Sequence, residues 1–222
     1  MSNARYMWQA PDIADEQDSL QPPPESADGN QPLNLGFIGT GNMGRINIDA
    51  ALHQPGAHVH AVCDVDRYHL QEAADLVDDR NGPRPCLKFR DFRELNRCPE
   101  LDAVFISTPD HWHVLQAIDA MRCGKDVYVE KPLSLTVAQG RRLCDVVNET
   151  GRICQTGSQQ RSSREFRFAC ELIRNGRIGP MRRIEVRIPP NNRTCEPEWS
   201  PMPVPEHLDY DMWLGPAPAR PY

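Results

Sequence analysis

The sequence predicts a doubly wound α/β fold on a parallel sheet, followed by the incomplete start of an α+β domain. Three observations predict it. From Leu33 onward, short apolar runs alternate with stretches of helical periodicity, the rhythm of βαβ units. The first run ends in Gly39-Thr40-Gly41-Asn42-Met43-Gly44, a glycine-rich turn from strand into helix. After Gln155 the rhythm changes, and residues 189–222 hold nine of the 21 prolines with almost no periodicity.

In chain order, residues 1–32 stand apart. Six acids face one base, Arg5, beside Pro22-Pro23-Pro24 and few apolar residues. Such a segment cannot bury enough surface to offset its ordering entropy, so a disordered acidic tail is expected. Strands are predicted at Leu35–Ile38, Val59–Cys63, Ala103–Ser107, Val127–Val129 and Ile153–Gln155, with a weaker one at Cys86–Phe89. A helix runs from Arg45 to Leu52. Asp66 can cap a second carrying Leu70, Ala73, Ala74 and Val77. Asp110 can cap a third carrying Val114, Leu115, Ile118 and Met121, stopped at Gly124. Thr136 and Gln139 fit a capping box ahead of Leu143, Val146 and Val147, with a stop at Gly151. Beyond Gln155, Ser162 and Glu165 can cap a helix through Ala169, Leu172 and Ile173. Met181–Ile188 then alternates as a strand does. The expected organisation is a tail (1–32), a nucleotide-binding domain (33–156) and the start of a truncated substrate or oligomerisation domain (157–222).

Composition narrows the functional classes. The net charge is −6, with no basic stripe, which argues against nucleic acid as a partner. No apolar run approaches the roughly 20 residues of a membrane span, and the N-terminus has no secretory pattern. The eight cysteines form no Cys-x-x-Cys pair and no zinc spacing, so no metal site and a reducing, cytoplasmic compartment are expected.

The glycine loop has a defined chemistry. Gly39 permits the tight turn, Gly41 lets backbone approach a pyrophosphate, and Gly44 lets helix and strand pack closely. Phosphates would sit at the helix start, over Asn42 and Met43, where free N–H groups and the dipole favour negative charge. Asp64 ends the second strand, 20 residues past Gly44. An acid there is placed to bind the ribose hydroxyls of NAD and to repel the extra phosphate of NADP. The plainer alternative is a turn followed by a surface acid.

In a parallel sheet, ligands sit beyond the carboxyl ends of the strands. Thr108, Pro109, Asp110, His111, Trp112 and His113 follow one such end. Neutral imidazoles there can hydrogen-bond a sugar hydroxyl or the nicotinamide ribose; the alternative is two solvated histidines beside a packed Trp112. Glu130, Lys131 and Pro132 follow another end. A lysine there can donate to a substrate oxygen and stabilise a developing alkoxide, although a surface lysine is the commoner case. The Lys131–Pro132 bond is a candidate for cis geometry. Gly157 to Arg161, Gln159 among them, either lines a cleft or is a linker.

These motifs, with Gly124-Lys125 and Trp213-Leu214-Gly215-Pro216, resemble the Gfo/Idh/MocA oxidoreductases, which include glucose–fructose oxidoreductase and inositol dehydrogenase. The resemblance implies a Rossmann domain binding NAD or NADP, a C-terminal α/β domain whose open sheet supports homo-oligomers, and a sugar or polyol substrate. It implies Lys131 as the active-site lysine. It also implies Thr108, Pro109, His113, Glu130 and, less closely matched, Gln159 as cofactor-lining positions. Family members are usually longer, and their Asp and His a helical turn apart have no equivalent here; His207 and Asp209 have the wrong order and spacing. Two alternatives therefore stand beside the oxidoreductase: an NAD-binding module without turnover, and a glycosidase using NAD for transient oxidation.

Overall fold

The computed structural model describes residues 32–82, 84–188 and 200–222. Apart from Pro32, the expected acidic tail lies outside these residues.

Six parallel strands form one sheet: β1 (Leu33–Ile38), β2 (Ala57–Cys63), β3 (Leu87–Phe89), β4 (Ala103–Ile106), β5 (Asp126–Glu130) and β6 (Cys154–Gly157). Their order is β3-β2-β1-β4-β5-β6, so the chain reverses direction across the sheet between β1 and β4, where a crevice opens. Each of the six strands expected between residues 33 and 157 is present, with ends displaced by up to a few residues.

Strand alternation builds two cores. Leu35, Phe37, Val59 and Val62 face α1 (Asn42–Leu52) and α2 (Arg67–Asn81), meeting Ile48, Ala51, Ala73 and Val77. Ile38, Val104, Ile106, Val127 and Val129 face the other way. They meet α3 (Phe92–Asn96), α4 (His113–Arg122) and α5 (Val137–Thr150) through Leu95, Ala117, Met121 and Leu143. Phe37, Phe105 and Tyr128 stack across three neighbouring strands, with ring centroids 4.8 Å apart in each pair. Aromatic pairs at such spacing add to the area they bury.

Caps set several helix ends. Asp66 accepts from the Tyr68 amide at 2.8 Å, as expected. Thr136 accepts from the Gln139 amide at 3.2 Å, and the Gln139 side chain reaches back to the Leu135 amide. Gly151, at φ 65°, ends α5 in the left-handed conformation that glycine adopts without a Cβ penalty.

Three expectations are corrected. Asp110 does not cap α4. The helix starts at His113 behind two backbone turn bonds, Trp112 N–H to the Pro109 carbonyl and His113 N–H to the Asp110 carbonyl. The helix α6 (Arg164–Arg174) starts after Ser163, one residue later than the spacing predicts and with no described side-chain cap, because Gln159–Ser162 forms a 3₁₀ turn. Residues 181–188 form no strand, and Ile184, Val186 and Ile188 are exposed. A strand needs a ladder partner for its N–H and C=O groups, and no described strand lies beside this one. Two short helices have no counterpart in the sequence pattern: α3, and α7 (Tyr210–Leu214).

Candidate functional site

The carboxyl ends of β1, β2 and β4 converge on a cleft of about 400 Å³. Gly39, Gly41, Asp64, Thr108 and Pro109 all line it, brought together from three separate loops.

The turn after β1 has the geometry its glycines require. Gly39 sits at φ +83°, and a Cβ there would lie 2.8 Å from the Ser107 backbone. A Cβ on Gly44 would fall 2.0 Å from the Gly39 carbonyl oxygen, so helix and turn are in backbone contact. A Cβ on Gly41 would meet nothing within 4 Å, because that position opens outward. Gly41 is also the N-cap of α1, and no described side chain caps the helix. Asn42, Met43 and Gly44 thus open a helix whose first amides keep their hydrogen-bonding capacity for a ligand. This bare cradle suits a diphosphate.

Asp64 has a bracing role that its spacing does not reveal. One oxygen, Oδ2, accepts from the Thr40 amide at 2.6 Å and the Thr40 hydroxyl at 3.0 Å. The other, Oδ1, accepts from the Asp66 amide at 2.9 Å. Three of roughly four acceptor positions on the carboxylate are therefore used, which fixes its plane. The remaining one, on Oδ1, is available to a hydroxyl donor. Next to it, burial first and then the nearby acids Asp64, Asp91 and Glu94 push the Cys63 thiol up, so this sulfur is no nucleophile at neutral pH.

The other predicted residues fall into two groups. His113 is buried, with Nδ1 2.7 Å from the Pro132 carbonyl and Nε2 2.8 Å from the Thr108 carbonyl. It ties the β4–α4 loop to the turn after β5 and does not line the cleft. Glu130 is also buried; Oε1 accepts from Asn47 Nδ2 at 2.9 Å and from Gln159 Nε2. Asn47 further donates to the Ser107 hydroxyl at 3.1 Å. Glu130 and Gln159 thus belong to a partly buried network joining α1, the end of β4, β5 and the 3₁₀ turn. Lys131 follows at the end of β5, exposed, across a Lys131–Pro132 bond that is cis. Its amide donates to Glu130 Oε2 at 3.3 Å.

The far wall of the cleft comes from the chain end. Leu208 bridges to Asp66 as an antiparallel pair. The Arg67 amide donates to the His207 carbonyl and the Asp209 amide to the Val65 carbonyl, both at 3.0 Å. The Trp112 indole donates to the Met212 and Trp213 carbonyls at 3.0 and 3.1 Å, and His111 Nε2 lies 3.0 Å from the latter oxygen. His111 is therefore not simply solvated: with the packed Trp112 it forms a latch for this segment. Gly215, at φ +48°, lies against Trp112 so closely that a Cβ would be 2.0 Å from the ring. Gly215→Ala is expected to loosen the latch by about 1–3 kcal/mol, at least roughly fivefold in the undocked population. Limited proteolysis should then cut within 200–222 several-fold faster, while the circular dichroism of the sheet domain stays the same.

Strand order, glycine cradle and braced acid together define a Rossmann domain of the dinucleotide-binding class. Residues 33–158 match the oxidoreductase family GFO_IDH_MocA, NAD-binding Rossmann fold, and residues 193–222 match its C-terminal alpha/beta domain. The chain belongs to the Gfo/Idh/MocA family.

Among solved structures, it is similar to scyllo-inositol dehydrogenase from Lactobacillus casei with bound cofactor NAD(H) and scyllo-inositol. The identity is 26% and the TM-score 0.61, over 67% of this chain and 43% of that one. A probable dehydrogenase from Thermotoga maritima is 29% identical at TM-score 0.61, over 66% and 42%. Among curated proteins, Glycosyl hydrolase family 109 protein 1 from Shewanella sp. (strain MR-4) is 32% identical over 67% of this chain and 33% of its own length. The chain spans about a third of the length of the curated relatives it matches. No helix among the described residues is long and apolar enough to cross a membrane.

Proposed function

We propose that this chain carries the cofactor half of an NAD-dependent oxidoreductase acting on a hydroxyl of a sugar or polyol. The observation that carries this reading is the cleft itself: the open face of Gly41, the uncapped start of α1 and the oriented Asp64 share one crevice. The bound cofactor supplies hydride transfer; the protein supplies position and field. Amides at the start of α1 would hold the diphosphate, and Asp64 would accept from an adenosine ribose hydroxyl. A 2′-phosphate would meet the same carboxylate, so NAD is preferred to NADP.

Lys131 is proposed as the residue that donates to the substrate oxygen and stabilises alkoxide character as the hydride moves. No described carboxylate pairs with it, and it stands on the ligand edge of the sheet. The network of Glu130, Asn47 and Gln159 fixes the strand end from which it projects. His113 positions the loop carrying Thr108 and Pro109. The bound scyllo-inositol of the L. casei enzyme is the kind of polyol this reading requires.

The names of the curated relatives favour a second reading, a glycosidase that oxidises its sugar transiently on NAD. Release of free sugar without net NADH separates the two. A binding module without turnover would titrate with NAD but fail with every sugar and glycoside.

Asp64→Ala tests the cofactor assignment. Losing a hydrogen bond to a charged group costs about 1.5–3 kcal/mol, or roughly 10- to 100-fold in Kd. Calorimetry should therefore show NAD binding weakened by that factor and the preference over NADP narrowed. An unchanged affinity for both nucleotides removes Asp64 from the site.

A further inference from the structure

A polar cluster stands apart from the residues that line the cleft. β1 and β2 pair as Leu35 with Val59 and then Gly36 with Ala61, so His60 is an extra residue in a β-bulge. Bulges re-aim side chains. The Nε2 atom of His60 is buried without a hydrogen-bond partner among the described residues. A buried nitrogen left without a partner loses its hydration and gains nothing in return, so its retention calls for a partner.

Two other donor side chains approach the His60 imidazole from the turn between α3 and β4. One ring nitrogen of His60, the Cys98 sulfur and a Glu100 carboxylate oxygen all lie within 4.8 Å of one another. The Cys98 thiol donates to Glu100 Oε2 at 3.1 Å. The turn is anchored on both sides: Asn34 Nδ2 donates to the Glu100 carbonyl at 3.0 Å, and Lys125 Nζ to the Leu101 carbonyl at 2.7 Å. Cys98 is buried and Glu100 exposed, so the carboxylate is the member free to adjust.

We propose that His60, Cys98 and Glu100 form a three-ligand site for zinc, which ties the β2 bulge to the α3–β4 turn. Imidazole nitrogen, thiolate and carboxylate are donors zinc binds at about 2.0–2.3 Å, which puts ligand atoms about 3.3–3.8 Å apart in a tetrahedron. A swing of the Glu100 side chain closes the difference. Thiolate and carboxylate neutralise the dication, and water takes the fourth position. On binding, the Cys98 proton leaves to solvent and a sulfur–metal bond takes its place. Lys125 is the nearby cation that opposes this, and its ammonium is directed to a main-chain carbonyl. The three ligands are scattered over 41 residues of sequence, which is why no spacing motif marks them.

The test uses the full chain, stripped with chelator and given Zn²⁺ or Co²⁺ alone. One zinc per chain should survive gel filtration, and cobalt should produce a thiolate-to-metal charge-transfer band. Cys98→Ser should abolish the band. Glu100→Gln, at an exposed side chain, should weaken cobalt binding at least tenfold while leaving the fold and NAD titration unchanged. The proposal is overturned if the wild type gives no band. It is also overturned if the band survives Cys98→Ser, which would assign it to other thiols such as the exposed Cys144 and Cys170. An unchanged affinity in Glu100→Gln overturns it as well.

Discussion

Gly44→Ala is expected to weaken NAD binding about 100-fold and to destabilise the domain. The added methyl would sit 2.0 Å from the Gly39 carbonyl oxygen and 2.9 Å from its carbon. Both are main-chain atoms of the turn, so no rotamer relieves the clash. The start of α1 must move away from the strand end. Overpacking of this kind costs about 1–3 kcal/mol in stability, and more when backbone shifts. The same movement takes the first helix amides away from the diphosphate. Two such charge-assisted bonds, at about 1.5 kcal/mol each, correspond to roughly two orders of magnitude in Kd. Thermal melts and calorimetry on the same preparation read both effects. A variant with wild-type melting temperature and NAD affinity would mean that the loop does not hold the diphosphate.

In a protein that also carries the whole substrate domain, Lys131→Ala is expected to lower turnover about 10²- to 10³-fold, the range for removing one donor to a developing oxyanion, while NAD affinity stays within a factor of two or so. The split follows from geometry. Lys131 is exposed at the end of β5, whereas the glycine turn proposed to hold the diphosphate lies at the end of β1, with β4 between them in the sheet. Glu130 should behave differently. It is buried and accepts from Asn47 and Gln159, so Glu130→Ala should lose stability as well as turnover, because two amide donors are left without an acceptor. Kinetics with a panel of polyols and glycosides, beside nucleotide titration, measures the contrast. Equal turnover in wild type and Lys131→Ala would remove the lysine from the chemistry.

What could be read in advance follows from how local each feature is. The glycine turn, the β2 acid and the capping box at Thr136 are fixed by neighbours within a few positions, and their residues suffice to identify them. Strand cores were legible for the same reason: Val104 and Ile106, or Val127 and Val129, alternate within one short run. Contacts between distant residues carry no such mark. Asn47 meets Glu130 across 83 positions, and Trp112 meets the carbonyl of Trp213 across 101. Each is an ordinary polar or aromatic residue until the sheet brings the pair together. His113 follows a strand end, where an imidazole can meet a sugar hydroxyl, the nicotinamide ribose or solvent; the fold instead turns it inward, between two main-chain carbonyls. Residues 181–188 have the alternation of a strand but no neighbour to pair with, so pattern alone was insufficient.

The most direct measurement is calorimetric titration of the folded chain with NAD and, separately, NADP. The cleft predicts saturable binding of one dinucleotide per chain, with NAD the tighter of the two. No heat from either nucleotide, on protein whose circular dichroism reports an intact α/β fold, would contradict it.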